Sequence, residues 1–155
     1  MELIAAFKTA TLLTATAALS PAADLRPENL SLKLEVERAI QRGNTALFAL
    51  QDKQTGIWGD EIYPALTALP LTAIMGDPTR DAGALPPSID AAYAYLAKAQ
   101  KLDGGIYGKG LAVYNTSLSV MALLAHDDRT RVQDNIAAAR RFLMNQQSDF
   151  DRRGK

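Results

Sequence analysis

The chain of 155 residues has no cysteine. That excludes disulfides, thiolate nucleophiles and Cys-ligated zinc. It has one histidine, His126, which cannot by itself build a His-rich metal site, so no metal or other cofactor is assigned. It has no excess of either charge: Lys plus Arg and Asp plus Glu number 17 each, and the formal net charge is zero. Nucleic acid is held by a clustered basic face, and this balance gives no case for one. No apolar run reaches the ~18–20 residues of a membrane-spanning helix, so no membrane span is expected. Tryptophan is nearly absent too: Trp58 is the only one. What is present is a length suited to one domain, which buries roughly 70% of its unfolded surface.

The N-terminal stretch "TATLLTATAALSPAA" follows Lys8 and contains Ala15-Thr16-Ala17, an A-x-A cleavage pattern. It resembles a secretory signal, which would make the protein exported, periplasmic or secreted. Glu2, the single Lys and the threonines weaken that reading, and without a cleaved signal the protein would be cytoplasmic. "SPAADLRPENLS" reads as a linker. Residues 1–31 are therefore expected to be leader and linker, and residues 32–155 the folded part.

The folded part repeats. Gln51 aligns with Gln100, Gly56 with Gly105, Trp58 with Tyr107 and Gly59 with Gly108, a constant distance of 49. The pattern is Q-x4-G-x-(W/Y)-G. Upstream, Ile40, Gly43 and Leu47 align with Ile89, Ala92 and Leu96. A third copy begins at a distance of 47, with Ile136, Ala139, Leu143 and Gln147. It stops before its turn, so the chain is expected to be a fragment. Recurrence near 50 residues marks stacked supersecondary units.

Each unit reads as two helices. The first runs over about Leu32 to Asp52, with Val36, Ile40, Gly43, Leu47 and Leu50 on one face. A Gly-rich turn ends it. "EIYPALTALPLTAIMG" is the second helix, and Pro70 should kink or end it. Ser88 is expected to cap the next helix, which runs to about Lys101. "VYNTSLSVMALLAH" should be an inner, buried helix, and "DDRTRVQDNIAAARRFLMNQQ" a third outer one. No strand signal is present.

The spacing also assigns the tryptophan a place. The Gln lies near a helix end, where carbonyls lack intrahelical partners. Its amide can donate to them, and the aromatic seven residues on can fold back and shield those bonds. Gln51, Gly56, Trp58, Gln100, Gly105 and Tyr107 are thus expected to be structural tethers between units, with no catalytic residue among them.

Arg42-Gly43, Leu47, Gln51, Gly56 and Trp58 resemble the QW motif of squalene–hopene and oxidosqualene cyclases. Ala92, Tyr95, Leu96, Gln100, Gly105 and Tyr107 resemble a weaker copy. "IYPALTAL" and "VYNTSLSVMALLA" resemble inner helices of the prenyltransferase/squalene oxidase repeat. The resemblance covers Val36 to Gln147. It implies an all-α fold, part of an α/α toroid: two complete hairpins and a third outer helix, around a cavity for a polyprenyl, squalene-like chain.

The resemblance breaks at the chemistry. The cyclases protonate with a D-x-D-D acid, and "SDFDRRG" has Arg152 at the last position. Prenyltransferase zinc and complement-type thioesters need Cys. "HDDRT" is too short for an Asp-rich metal box and reads better as a helix start. Asp60, Glu61 and Asp90 sit near helix N-termini, where they complement the dipole. Tyr63, Tyr93, Tyr95 and Tyr114 read as core or cavity wall, and His126 as a surface residue at a helix end. A polysaccharide-lyase toroid would need a basic, aromatic groove that the sequence does not show. Two functions are expected from the resemblance: a cyclase-like enzyme section with an isoprenoid ligand, or a non-catalytic exported module. That module would bind an apolar ligand or protein partner, or self-associate, at its open repeat edge.

Overall fold

The computed structural model describes residues 27–81 and 85–147. The stretch read as a signal and the "SDFDRRG" segment lie outside the described residues. Within them all regular structure is helical, apart from one isolated bridge between Gln100 and Ile106. The helices are α1 (Pro27–Leu50), α2 (Pro64–Met75), α3 (Pro87–Lys98), α4 (Ala112–Leu124) and α5 (Gln133–Asn145), with a 3-10 turn at Arg129–Arg131 ahead of α5. No helix among them is long and apolar enough to cross a membrane.

Three starts differ from expectation, and prolines and a small polar residue explain them. α1 begins at Pro27, so the stretch Pro27 to Ser31 is helix and not linker. Proline's fixed φ suits a first helical turn, where its missing N–H would have had no partner. Ser88 does not cap α3: Pro86 is the cap and Pro87 opens the helix. That frees the Ser88 hydroxyl for another partner. Asp128 caps the 3-10 turn through Thr130 N–H at 3.0 Å rather than α5 itself.

Pro70 neither ends nor interrupts α2, which continues to Met75. A helix-interior proline loses one hydrogen bond to the carbonyl four residues back. Here that residue is Leu66, which is exposed, on the helix flank open to water.

α2 and α4 are the most closely packed pair; α3 lies on α2, α5 on α4, and the end of α1 on α2. The α2–α4 contact is close because small side chains form it. Asn115, Ser119 and Ala122 recur at i, i+4 and i+7 along α4, and all are fully buried. Asn115 sets the register. Its Oδ1 accepts the Ala65 N–H at 3.0 Å, at the start of α2, while its amide donates to Leu111 O at 3.0 Å. Tyr63, at the cap position of α2, makes no side-chain cap. A neighbouring helix therefore satisfies a donor that the first turn leaves open.

The apolar core lies between this pair and the flanking helices. It holds Trp58, Leu71, Ile74, Ile89, Leu96, Ile106 and Leu123. Of the five-residue face expected on α1, only Leu47 joins it, together with Phe48. Val36 is 49% and Leu50 74% exposed. α4 is buried on one side only: Val113, Tyr114, Met121 and Leu124 are exposed.

Candidate functional site

Two turns link the flanking helices, and they are built alike. In the first, Gln51 lies one residue beyond the end of α1. Its Nε2 donates to Gly56 O at 3.0 Å and to Ser88 O at 3.1 Å, and its Oε1 accepts the Ser88 hydroxyl at 2.8 Å. One amide thus closes its own turn and holds the first turn of α3. In the second, Gln100 Nε2 donates to Gly104 O and Asn135 O, both at 2.9 Å, and its Oε1 accepts from Asn135 Nδ2 at 2.8 Å. Asn135 stands in the first turn of α5. The chemistry is the same, with an amide replacing a hydroxyl.

This geometry corrects the register read from the sequence. The residue that matches Gly56 is Gly104, not Gly105. Both take positive φ, 74° and 90°. A Cβ on Gly56 would stand 2.6 Å from Ala92 N and Ser88 O, and one on Gly104 would stand 2.5 Å from Ala138 O. Each glycine lets its turn touch the backbone of the next flanking helix, which a side chain would prevent.

The residue that matches Trp58 is Ile106, not Tyr107. Trp58 N–H reaches Thr67 Oγ1 at 3.1 Å, and Ile106 N–H reaches Thr116 Oγ1 at 2.9 Å. Gln51 to Gln100 and Thr67 to Thr116 are both 49 apart, but Gly56 to Gly104 and Trp58 to Ile106 are 48. The second turn is one residue shorter before its glycine and one longer after Ile106. A constant offset hides these two compensating shifts.

The capping roles also differ from expectation. Gln51 does not cap the carbonyls at the end of α1. Trp58 Nε1 donates to Leu47 O at 2.7 Å, and the Lys53 ammonium donates to Phe48 O. Trp58 is 5% exposed, so its one polar atom is matched inside an apolar shell. Tyr107 instead packs on Phe142 of α5, ring centroids 5.8 Å apart, and donates to Asp103 Oδ2 at 2.7 Å. That bond holds the Asp103 carboxyl below its usual range, helped by the Gly105 N–H. Asp52 is likewise lowered, by the N–H groups of Thr55 and Gln54. Gln147 of the third copy is exposed.

Sequence reasoning missed Ser88 and Asn135 as tether partners, and Thr67, Thr116 and Asn115 as polar core. The signal existed: Ser88 and Asn135 stand 47 apart, like Ala92 and Ala139.

A second cluster joins the C-terminal ends of α2 and α4. Arg80 clasps Asp127 with two bonds, Nη1 to Oδ2 at 2.8 Å and Nη2 to Oδ1 at 2.7 Å. This pair lowers Asp127, chiefly through the Arg80 hydrogen bonds. His126 is half-buried rather than on the surface. Its ring meets Tyr93 at 4.3 Å, and its Nδ1 accepts from Asp128 N–H at 2.9 Å. Tyr93 is buried, which pushes its hydroxyl pKa well up, and it donates to Ala122 O at 3.2 Å. These bonds make the cluster a clasp between two loops.

Three lysines, Lys98, Lys101 and Lys109, line a cavity of about 460 Å³ with Tyr95 and Tyr107. Tyr95 donates to Glu61 O at 2.6 Å, and burial, with Glu61 and Asp60 nearby, pushes it up to about 12.

Asp60, Glu61 and Asp90 are all at the surface. Asp60 accepts the Ile62 N–H at 2.9 Å, Glu61 is exposed, and Asp90 pairs with Arg131 at 3.4 Å in water. Among the described residues the buried polar side chains are amides and hydroxyls, with no carboxylate, and no group of three metal-ligating side chains comes together. Comparison of the chain with models of protein families, with curated proteins and with solved structures finds no match.

Proposed function

We propose that the chain is a section of an α/α toroid of the prenyltransferase/squalene oxidase repeat type. In this reading α2 and α4 belong to the inner ring and α1, α3 and α5 to the outer. Its role is to present an apolar inner-ring surface to a polyprenyl-type ligand, with no buried carboxylate among the described residues. The observation that carries this is the Gln tether. It occurs twice with the same partners in kind, and each time it joins one flanking helix to the next while a central helix lies behind. Stacked units that contact only their neighbours are built in this way.

The proposed ligand surface is the exposed side of α4. Tyr114 and Met121, seven residues apart and 53% and 54% exposed, share one face, with Val113 and Leu124 beside them. α4 contains no charged residue, so a hydrocarbon chain laid there would desolvate no charge. An apolar surface with a methionine and an aromatic suits a flexible hydrocarbon.

The test is calorimetric titration of the full chain with farnesol, a short isoprenoid alcohol. Saturable binding at about micromolar Kd, near −8 kcal/mol, is expected. Met121→Glu should weaken it at least tenfold. Absence of saturable binding, or equal binding by the variant, would overturn the reading.

A further inference from the structure

One face of α1 is apolar, small and open from Leu32 to Leu50. Leu32, Val36, Ala39, Gly43, Ala46 and Leu50 are all exposed, and Leu32 is 61% so. They follow one another at alternating intervals of four and three residues. That is the seam spacing of a helix that packs along another helix. The side of α1 turned to the core is a different one. It is carried by Leu47 and Phe48, with Asn44 tied to Asp77 at 2.8 Å, all in the C-terminal half of the helix.

On the other flanking helices the matching positions are covered. Ala39 and Gly43 match Ser88 and Ala92, 49 residues on, and then Asn135 and Ala139, a further 47 on. The Gln51 turn holds Ser88 and sets Gly56 against the backbone of Ser88 and Ala92. The Gln100 turn holds Asn135 and sets Gly104 against Ala138. On α1 no described residue fills this place: a Cβ added to Gly43 would meet no atom within 4 Å. Nor is α1 equipped for another glutamine turn. Both tethers take a side-chain hydrogen bond from the residue at this position, Ser88 or Asn135, and α1 offers Ala39. Its small apolar seam fits a helix instead.

The charges beside the seam select that helix. Glu35 and Arg42 border it, one heptad apart, and both are exposed. Arg42 forms no ion pair among the described residues, and Glu35 accepts the Ser31 hydroxyl at 3.3 Å. Consider two α1 helices paired antiparallel about a two-fold axis, with Leu32 over Gly43 and Val36 over Ala39. Each larger side chain then lies over a small one, and each Glu35 faces Arg42 of the other copy. Sliding by one heptad sets Glu35 against Glu35, or Arg42 against Arg42. A parallel pair sets them against Ile40 and Leu47. Among these arrangements one register joins opposite charges, and facing like charges disfavours its neighbours. That register also places the two bodies at opposite ends of the pair, because the C-terminal half of each α1 lies beside the N-terminal half of the other.

We propose that α1 is a self-association surface whose partner is a second copy of this chain, paired antiparallel along the Leu32–Leu50 seam in this register. This inference does not depend on any isoprenoid ligand.

The test is sedimentation equilibrium of the full chain and its charge variants. The parent should dimerise with a Kd on the order of 10 µM, weak because the seam is short and rich in small side chains. Arg42→Glu and Glu35→Arg should each weaken the dimer at least about tenfold, since like charges then face each other twice. An equimolar mixture of these two variants should pair again as a heterodimer, because every facing pair is then opposite in sign. Pairing in the mixture also shows that both variants are folded. The double variant, Glu35→Arg with Arg42→Glu, should return to within about threefold of the parent. A parent that stays monomeric at about 100 µM, an order of magnitude above the expected Kd, would overturn the proposal. So would a dimer that the single variants leave unchanged, or one that neither the mixture nor the double variant restores, since another face or register would then hold the copies.

Discussion

The two tethers perform one task with different parts. The first uses Gln51, Gly56, Trp58 and a serine; the second uses Gln100, Gly104, Ile106 and an asparagine. What stays constant is the glutamine amide and a left-handed glycine against a helix backbone. What varies is the apolar plug: an indole that also caps α1, or an isoleucine that makes no cap. The turn therefore depends first on backbone contact, second on the amide and third on the plug. Substitutions made in pairs, one in each turn, test that order by urea unfolding of the full chain.

The glycines should give the largest effect. Gly56→Ala and Gly104→Ala each combine a left-handed backbone with a Cβ near 2.5 Å from another helix's main chain. Each is expected to cost about 3 kcal/mol, from ~1–2 for the left-handed strain and 1–3 for overpacking. Gly105→Ala should cost far less. Its φ is not positive, and the nearest clash is the side chain of Tyr107, which can move. If Gly105→Ala proved the worst of the three, the corrected register would be wrong.

The amides come next. Gln51→Ala takes the amide partner from the buried Gly56 carbonyl and Ser88 hydroxyl, at about 2–3 kcal/mol, given ~1–3 for unsatisfied buried groups. Gln100→Ala should cost less, about 1–2 kcal/mol, because its partners are only partly buried and water can replace it. Equal losses would mean that burial does not separate the two turns.

The plugs follow. Trp58→Phe removes the donor to Leu47 O and part of the ring, and should cost about 1–2 kcal/mol. Ile106→Val should cost about 1 kcal/mol through lost volume alone.

The smallest difference is in acid. Both turns use a carboxylate held below its usual value, Asp52 by backbone N–H groups and Asp103 first by Tyr107. A lowered carboxyl stabilises the fold above its unfolded pKa, near 3.9, and that support is lost as pH falls through the lower folded value. Tyr107→Phe should therefore flatten part of the acid loss below about pH 4. Asp52→Asn should flatten a different part, and the double change should be additive because the turns share no partner. A non-additive result would show that the turns are coupled.

How much of this was legible is shown by particular residues. Gln51 and Gln100 stood out because a long polar side chain at the same place in two repeats is easy to align. The glycine and the plug did not, because Gly104 and Gly105 are adjacent and an alignment prefers the constant offset. An aromatic at 107 also looks like a better match for Trp58 than isoleucine does. Residue type cannot show which of two neighbouring glycines has positive φ. Ser88 read as a cap because serine favours caps, yet two preceding prolines start the helix earlier and leave the hydroxyl to Gln51. Pro70 read as a stop because proline breaks isolated helices, but packing against α4 holds α2 through it.

The sequence by itself determined the all-helical class, the alternation of charged and uncharged helices, and the glutamines that tie them. Those features are local: periodicity, charge and one side-chain type. Only the tertiary structure decided which glycine meets a backbone, that Ile106 stands for Trp58, and that Asn115 caps α2 from another helix. It also left Ser119 with a buried hydroxyl and no partner. The glycine and the Asn115 cap are settled by contacts between segments far apart in the chain. A contact of that kind selects among residues that local propensity treats as equal.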